Sequence, residues 1–309
     1  GLLLVSVLSA VLASVQLGAL TEPVDPLIAA MTASPFRAAL VQWLILGLSV
    51  VLIHGVGRFF GGRGTLLAPT PGVPSAEVVI LGAGMSGLCM SVQLRRAGVA
   101  DFVVIEQSAG LGGTWWDNRY PGAHVDVPAP LYSFSFAPNP RWTRRFAAAR
   151  EIQAYMQDVA QRFGVMPHIR FGRRVLSAAF DEADGRWRIE LDNGRTLHAR
   201  HFVCSTGPLS RPRLPDIPGI DSFAGRVLHS ARWDPSFDAA GQRVGVIGTG
   251  STASQLVPPL AERAAQLTVF QRTANWVLPR PDRRYTALDR LLARFPPYAA
   301  ATRRFWYHV

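Results

Sequence analysis

Residues 77–106, EVVILGAGMSGLCMSVQLRRAGVADFVVIE, place the strongest constraint on what this chain can fold into. An apolar run leads into Gly82, Gly84 and Gly87, then a stretch of helical period, then a second apolar run that closes on Glu106. Strand, glycine turn, helix and strand in that order predict a βαβ unit, because parallel neighbours need a crossover helix. Gly82 permits the tight turn, Gly84 lets the backbone approach a pyrophosphate, and Gly87 lets helix and strand pack. The phosphates of a dinucleotide then sit on the helix N-terminus. Glu106 stands where a carboxylate can accept from ribose hydroxyls.

A second copy follows at 244–272, VGVIGTGSTASQLVPPLAERAAQLTVFQR. Gly248 and Gly250 head its helix from Ser251, and Ala253 stands at the third glycine position, a tolerated variant. Its second strand ends on Gln271, Arg272 and Thr273 where the first copy has its acid. A carboxylate repels a 2′-phosphate, whereas a guanidinium binds it bidentately, so this unit is expected to prefer NADPH to NADH. The bland alternative is that Arg272 only ends a surface strand. Two such units in one chain suggest one flavin and one nicotinamide.

Between the units, VLSAAFDEADGRWRIELDNGRTLHARHFVCSTG alternates and turns at Asp184-Gly185 and Asn193-Gly194, which predicts an antiparallel meander. Upstream, Ile152, Tyr155, Met156, Val159 and Phe163 share one helical face before Gly164. The fold class expected is α/β, two Rossmann-like dinucleotide-binding domains with an antiparallel meander, preceded by one or two transmembrane helices. The first dinucleotide domain is placed at 76–209 and the second, incomplete, at 210–309.

The transmembrane expectation rests on residues 1–20 and 38–57, which hold no Asp, Glu, Lys or Arg and are each about long enough to cross a bilayer. Arg58 and Arg63 follow the second stretch, which orients the downstream part to the cytoplasmic side of a membrane anchor. A cleaved signal peptide for the first stretch, or core helices for both, are the alternatives. Residues 58–75 are rich in Gly and Pro and read as a linker. The chain starts at Gly1, not Met, and is expected to be a piece of a longer protein.

The net charge is +11, all cations are arginine, and eight of them lie in 272–309 against Asp282 and Asp289. Basic balance of this kind is no footprint of nucleic acid, and no nucleic-acid partner is expected. Cys89 and Cys204 have no C-x-x-C spacing, which excludes a zinc ribbon and a dithiol pair; both read as small buried side chains. The stretch GLGGTWWDNRYPGAHVDVPAPLYSFSF also holds no cysteine, which excludes thiol relay beside a flavin. It offers Gly112, Gly113, Thr114 and Trp115 to cover a flavin, then Asp126, either a loop cap or a group facing the ring.

Residues 223–234, FAGRVLHSARWD, place Phe223, Gly225, His229, Trp233 and Asp234 in register with F-x-G-x-x-x-H-x-x-x-W-[P/D]. This string resembles the fingerprint of Baeyer-Villiger monooxygenases, class B flavoprotein monooxygenases; GGTWWDNRYPGA and VFQRTANW look like the same family. The resemblance covers residues 76 to about 285. It implies an FAD- and NADPH-dependent enzyme that uses O2 to convert ketones, or another small lipophilic substrate, to esters or lactones through a C4a-peroxyflavin. By the same resemblance Gly82, Gly84, Gly87, Glu106, Gly113, Thr114, Trp115, Tyr132 and the backbone at Val175 contact FAD. Gly248, Gly250, Ser251, Arg272 and Thr273 hold NADPH. Asp126 is the active-site acid that tunes an arginine from farther along the chain, where only 37 residues follow Arg272, so this stretch alone is expected to bind FAD poorly and not to oxygenate. His229 and Trp233 are candidate catalytic residues, expected to couple the two units by packing and one hydrogen bond. In place of the family's R-C-D the chain reads His124, Val125, Asp126.

Two other readings remain open: an N- or S-oxidising flavin monooxygenase, against which Trp233-Asp234 argues, and a membrane-tethered nucleotide-binding module without turnover. Near the end, Leu288, Leu291, Leu292 and Phe295 are expected on one face of a helix beside Arg290, Arg294, Arg303 and Arg304. Domain packing or contact with anionic lipid would each suit that helix.

Overall fold

A computed structural model describes residues 75–277 and 279–308. The two stretches expected to span a membrane lie outside the described residues. Among the described residues no helix is long and apolar enough to cross one.

The first unit forms as the glycine pattern predicts: β1 (Ser75–Leu81), α1 (Met85–Arg96) and β2 (Phe102–Ile105). Val78, Val79 and Ile80 of β1 are wholly buried, as an apolar run in a parallel sheet covered on both faces should be. A short helix α2 (Thr114–Asp117) and the longer α3 (Ala149–Arg162) follow. The α3 stripe is core: Ile152, Tyr155, Met156 and Val159 are buried, while Phe163 caps the C-terminus at half burial before Gly164 turns left-handed at φ +64°.

β3 (Ile169–Arg170) pairs with β2, and the meander comprises β4 (Val175–Asp181), β5 (Arg186–Leu191) and β6 (Thr196–Cys204). Gly185 and Gly194 take positive φ at its two turns. The meander is not a separate layer. Its last strand, β6, lies parallel to β1 along Ser75↔His198 to Leu81↔Cys204 while pairing antiparallel with β5, giving one mixed sheet in the order β3-β2-β1-β6-β5-β4. Val79, Ile105, Ile189, Leu191 and Ala199 form the core across that junction. Cys204, expected to be buried, is exposed because it ends β6 at the rim of the sheet beside the glycine turn, whereas burial pushes the half-buried Cys89 thiol up to about 11.

The second unit comprises β7 (Arg243–Ile247), α4 (Ser251–Ala261) and β8 (Gln266–Phe270), with β7 and β8 parallel in a two-stranded sheet. The expected terminal helix is instead two, α5 (Ala287–Leu292) and α6 (Pro296–His308). Thr286 and Asp289 form a capping box that starts α5. Phe295 precedes a proline, which disfavours helical backbone there, so the helix stops and restarts at Pro296. Leu288, Leu291, Leu292 and Phe295 are all exposed.

Candidate functional site

The first glycine turn is shaped by what a side chain would strike. A Cβ on Gly87 would lie 1.9 Å from the Gly82 carbonyl oxygen, and one on Gly82, at φ +102°, would lie 2.6 Å from the Ser205 carbonyl oxygen. Helix α1, turn and β6 therefore meet at backbone distance. Gly84 caps α1 without any side-chain hydrogen bond, and no acid stands in the first turn, so the N–H groups of that turn face outward. The Gly112 N–H donates to the Ala83 carbonyl at 3.2 Å and holds the next loop against the turn.

Glu106 is buried just past β2. Its Oε2 accepts from the Ala83 N–H and its Oε1 from the Ser108 N–H, both at 2.7 Å. Two backbone donors leave lone pairs on both oxygens free for a ribose diol. The Glu106 backbone is also bonded on both sides to the passing chain, its N–H to the Arg170 carbonyl and its carbonyl to the Arg173 N–H, each at 3.0 Å. That chain then enters β4 at the half-buried Val175.

Trp115, on α2, donates its indole N–H to the Tyr132 hydroxyl at 3.1 Å, with the two rings edge to face at 5.3 Å. Burial pushes the Tyr132 phenol upward. Thr114 and Gly113 lead into α2, Thr114 exposed and Gly113 in left-handed conformation. A cradle that any Cβ would fill, free helix N–H groups and a buried carboxylate at the strand end together fit the pyrophosphate and ribose of a flavin dinucleotide.

At the second turn Gly248 takes φ +109°, and added Cβ atoms at Gly248 and Gly250 would meet open space. Gly250 caps α4 without a side-chain bond, and Ser251 is its first residue. Arg272, just past β8, is exposed, with no acid paired to it among the described residues. The Thr273 carbonyl accepts from the Thr249 hydroxyl at 3.4 Å, and Asn275 donates to the Thr249 carbonyl at 2.7 Å, which folds the 271–275 segment over the turn. These groups fit a phosphorylated nicotinamide dinucleotide.

Asp126 is exposed, and its Oδ1 accepts from Gln255 Nε2 at 2.7 Å. The loop that carries it belongs to both halves: Tyr120 is buried with Ala239, Val246, Ala253, Leu256 and Leu260. His229 accepts the Ala231 N–H at 3.1 Å and caps a 3-10 turn, Ser230–Arg232, while Trp233 packs on the second unit's core and stands edge to face with Phe237. The charged contact with the first unit from this string comes from Arg232, which pairs with Asp117 of α2 at 3.5 Å, beside the packing of Trp233 on a cluster that includes Tyr120. Burial raises the Asp117 carboxyl and Arg232 opposes it. Asp234 accepts from Arg226 and from the Ser236 N–H, and the Ser236 hydrogen bonds hold its carboxyl below the usual range.

Sequence reasoning passed over Gln255, Arg232 and Asn275, and named Arg303 only among the arginines beside the expected terminal helix. Arg303, on α6, sends one nitrogen to the carbonyls of Pro130, Leu131 and Ser133 at 2.6–3.2 Å, either side of Tyr132. Arg232 and Asn275 had a signal available, lying inside the fingerprint string and the VFQRTANW string.

Two glycine turns that share one intervening loop define the two-dinucleotide α/β class of redox protein. The chain belongs to the flavin-binding monooxygenase-like family, whose model matches residues 75–295. A Baeyer-Villiger monooxygenase of Streptomyces coelicolor is 51% identical over 228 residues, 74% of this chain and 44% of that protein. Among solved structures, oxidized steroid monooxygenase bound to NADP matches with a TM-score of 0.68 at 41% identity, covering 75% of this chain and 45% of its own. The closed form of cyclohexanone monooxygenase matches with a TM-score of 0.69 at 34% identity, covering 76% and 44%. The chain thus spans less than half the length of these relatives.

Proposed function

We propose that this chain serves an NADPH- and O2-dependent flavin monooxygenase that converts ketones to esters or lactones. One observation carries the reading: the loop bearing Asp126 is buried on the second unit at Tyr120 and hydrogen-bonded to Gln255 of α4, which supports an acid between two redox cofactors. The names of the relatives above support the same chemistry.

A flavin held at the first glycine turn and a nicotinamide held at the second would together supply the activation of O2. The chain's own residues bind, orient and exclude water. Amides at the heads of α1 and α4 receive the two pyrophosphates, Glu106 accepts from the flavin-side ribose, and Arg272 meets the 2′-phosphate. The Trp115–Tyr132 pair supplies an aromatic wall that limits solvent access. Asp126 offers a fixed carboxylate toward the reacting groups, where oriented charge contributes most. His229 and Trp233 support the segment from which Arg232 braces α2.

Incubation of the complete gene product, loaded with FAD, with NADPH, 18O2, a cyclic ketone and a thioether separates the readings. A lactone carrying one heavy oxygen is the expected product. Sulfoxide without lactone favours the N- or S-oxidising kind, and neither product favours a module without turnover.

We further propose that residues 1–57 tether the protein to a membrane, its redox part on the cytoplasmic side. Two uncharged stretches of spanning length followed by Arg58 and Arg63 support this. Retention in the pellet after alkaline carbonate extraction is expected, and release to the supernatant would refute the tether.

A further inference from the structure

Gln255 is 7% exposed, and every valence of its amide is used. Its Oε1 accepts from the Tyr120 hydroxyl at 2.9 Å and the His124 N–H at 3.2 Å. Its Nε2 donates to the His124 carbonyl at 3.2 Å and to Asp126 Oδ1 at 2.7 Å. Flipping the amide would set oxygen against a carbonyl and a carboxylate, so the chemistry of the neighbours allows one orientation. The backbones also touch: a Cβ on Gly122 would lie 2.3 Å from the Gln255 carbonyl oxygen. Gln255 stands about one helical turn past Ser251, the first residue of α4. The second glycine turn and the Asp126 carboxylate are therefore joined by one turn of helix and one hydrogen bond.

We infer that Gln255 is a positioning residue that transmits occupancy of the second glycine turn by a nicotinamide dinucleotide phosphate to the Asp126 carboxylate. The inference rests on the NADPH reading above and deepens it. A pyrophosphate seated on the amides of Gly250 and Ser251 restrains the first turn of α4, and the Gln255 Nε2–H passes that restraint to the loop. Ordering shared in this way is a coupling between sites that needs no large displacement.

Amide hydrogen exchange of the full chain, with and without NADP+, tests it. In the wild type NADP+ is expected to slow exchange at 247–253 and, at least about fivefold, at 120–126. Gln255→Glu keeps acceptors for the Tyr120 hydroxyl and His124 N–H but offers Asp126 no donor. In that variant slowing at 247–253 should persist, which also shows that it folds, while slowing at 120–126 is lost. Asp126→Asn, whose side-chain oxygen still accepts, should keep the effect, and Asp126→Ala should lose it. If NADP+ slows only 247–253 in the wild type, or slows 120–126 equally in Gln255→Glu, the inference fails and the NADPH reading stands. If it slows neither segment, both fail.

Discussion

Gly84 and Gly113 meet with no side chain between them: a Cβ on Gly113 would lie 2.9 Å from the Gly84 Cα, at a Gly113 φ of +53°. The contact seats the loop that carries Trp115 on the turn expected to receive a pyrophosphate. The two glycines are not equivalent, because a Cβ on Gly84 would first meet Gly113 at 3.7 Å, an ordinary contact.

Gly113→Ala should therefore cost about 1–3 kcal/mol from left-handed strain and close approach, lowering Tm with or without cofactor. Gly84→Ala should leave the cofactor-free Tm within about 1 °C yet weaken FAD binding, because the added methyl occupies the pyrophosphate's approach. Thermal unfolding and flavin fluorescence titration distinguish the pair. Equal behaviour in both assays would remove the distinction.

Arg272→Ala is expected to weaken NADP+ by about 10- to 100-fold, the range for losing a charge-assisted hydrogen bond to phosphate, and to leave NAD+ nearly unchanged. Calorimetric titration with the two nucleotides reads this directly. An equal loss for both would mean that Arg272 does not contact the 2′-phosphate.

Arg303→Met keeps an unbranched apolar stem but leaves the carbonyls of Pro130, Leu131 and Ser133 without their shared donor. Destabilisation of about 1–3 kcal/mol is expected, together with faster proteolytic cleavage within 293–308. An unchanged cleavage pattern would show that α6 is held by other contacts.

Asp289 carries a pH dependence whose sign follows from its partners. Arg283 holds it with two hydrogen bonds of 2.8 Å, Thr286 adds its own, and its carboxyl lies far below the ordinary range. A depressed folded-state value means stability that is present above the unfolded value of about 3.9 and lost as pH falls below it. Asp289→Asn should lower Tm at pH 6, and the gap to wild type should begin to narrow only below about pH 4, closing as pH falls on through the depressed folded-state value. A gap that stays constant over that range would remove Asp289 as its source.

Both glycine turns were legible in the sequence because positive φ at Gly82 and Gly248 and the close approach of Gly87 to Gly82 arise within a few positions, even though Gly82 also meets Ser205 from far along the chain. The α3 stripe was legible for the same reason. The place of β6 was not, since alternation shows that a strand has two faces but not which neighbour it joins. Gln255 was invisible because its importance arises from Tyr120, His124 and Asp126, roughly 130 residues away in the chain. The break between α5 and α6 was readable in principle from Phe295-Pro296, but the apolar spacing across it suggested one helix.

Because β1 lies between β2 and β6, the first glycine turn cannot be completed where it is made. Leu81 waits for Cys204, and the Gly82 backbone for Ser205. During synthesis on the ribosome, one flank of β1 stays an open template until the meander emerges and fills it, with the loop-closure entropy of that long separation still unrecovered. Slow translation between the two halves would prolong that exposure, making this interval the point at which the nascent chain is most prone to pair with a neighbour.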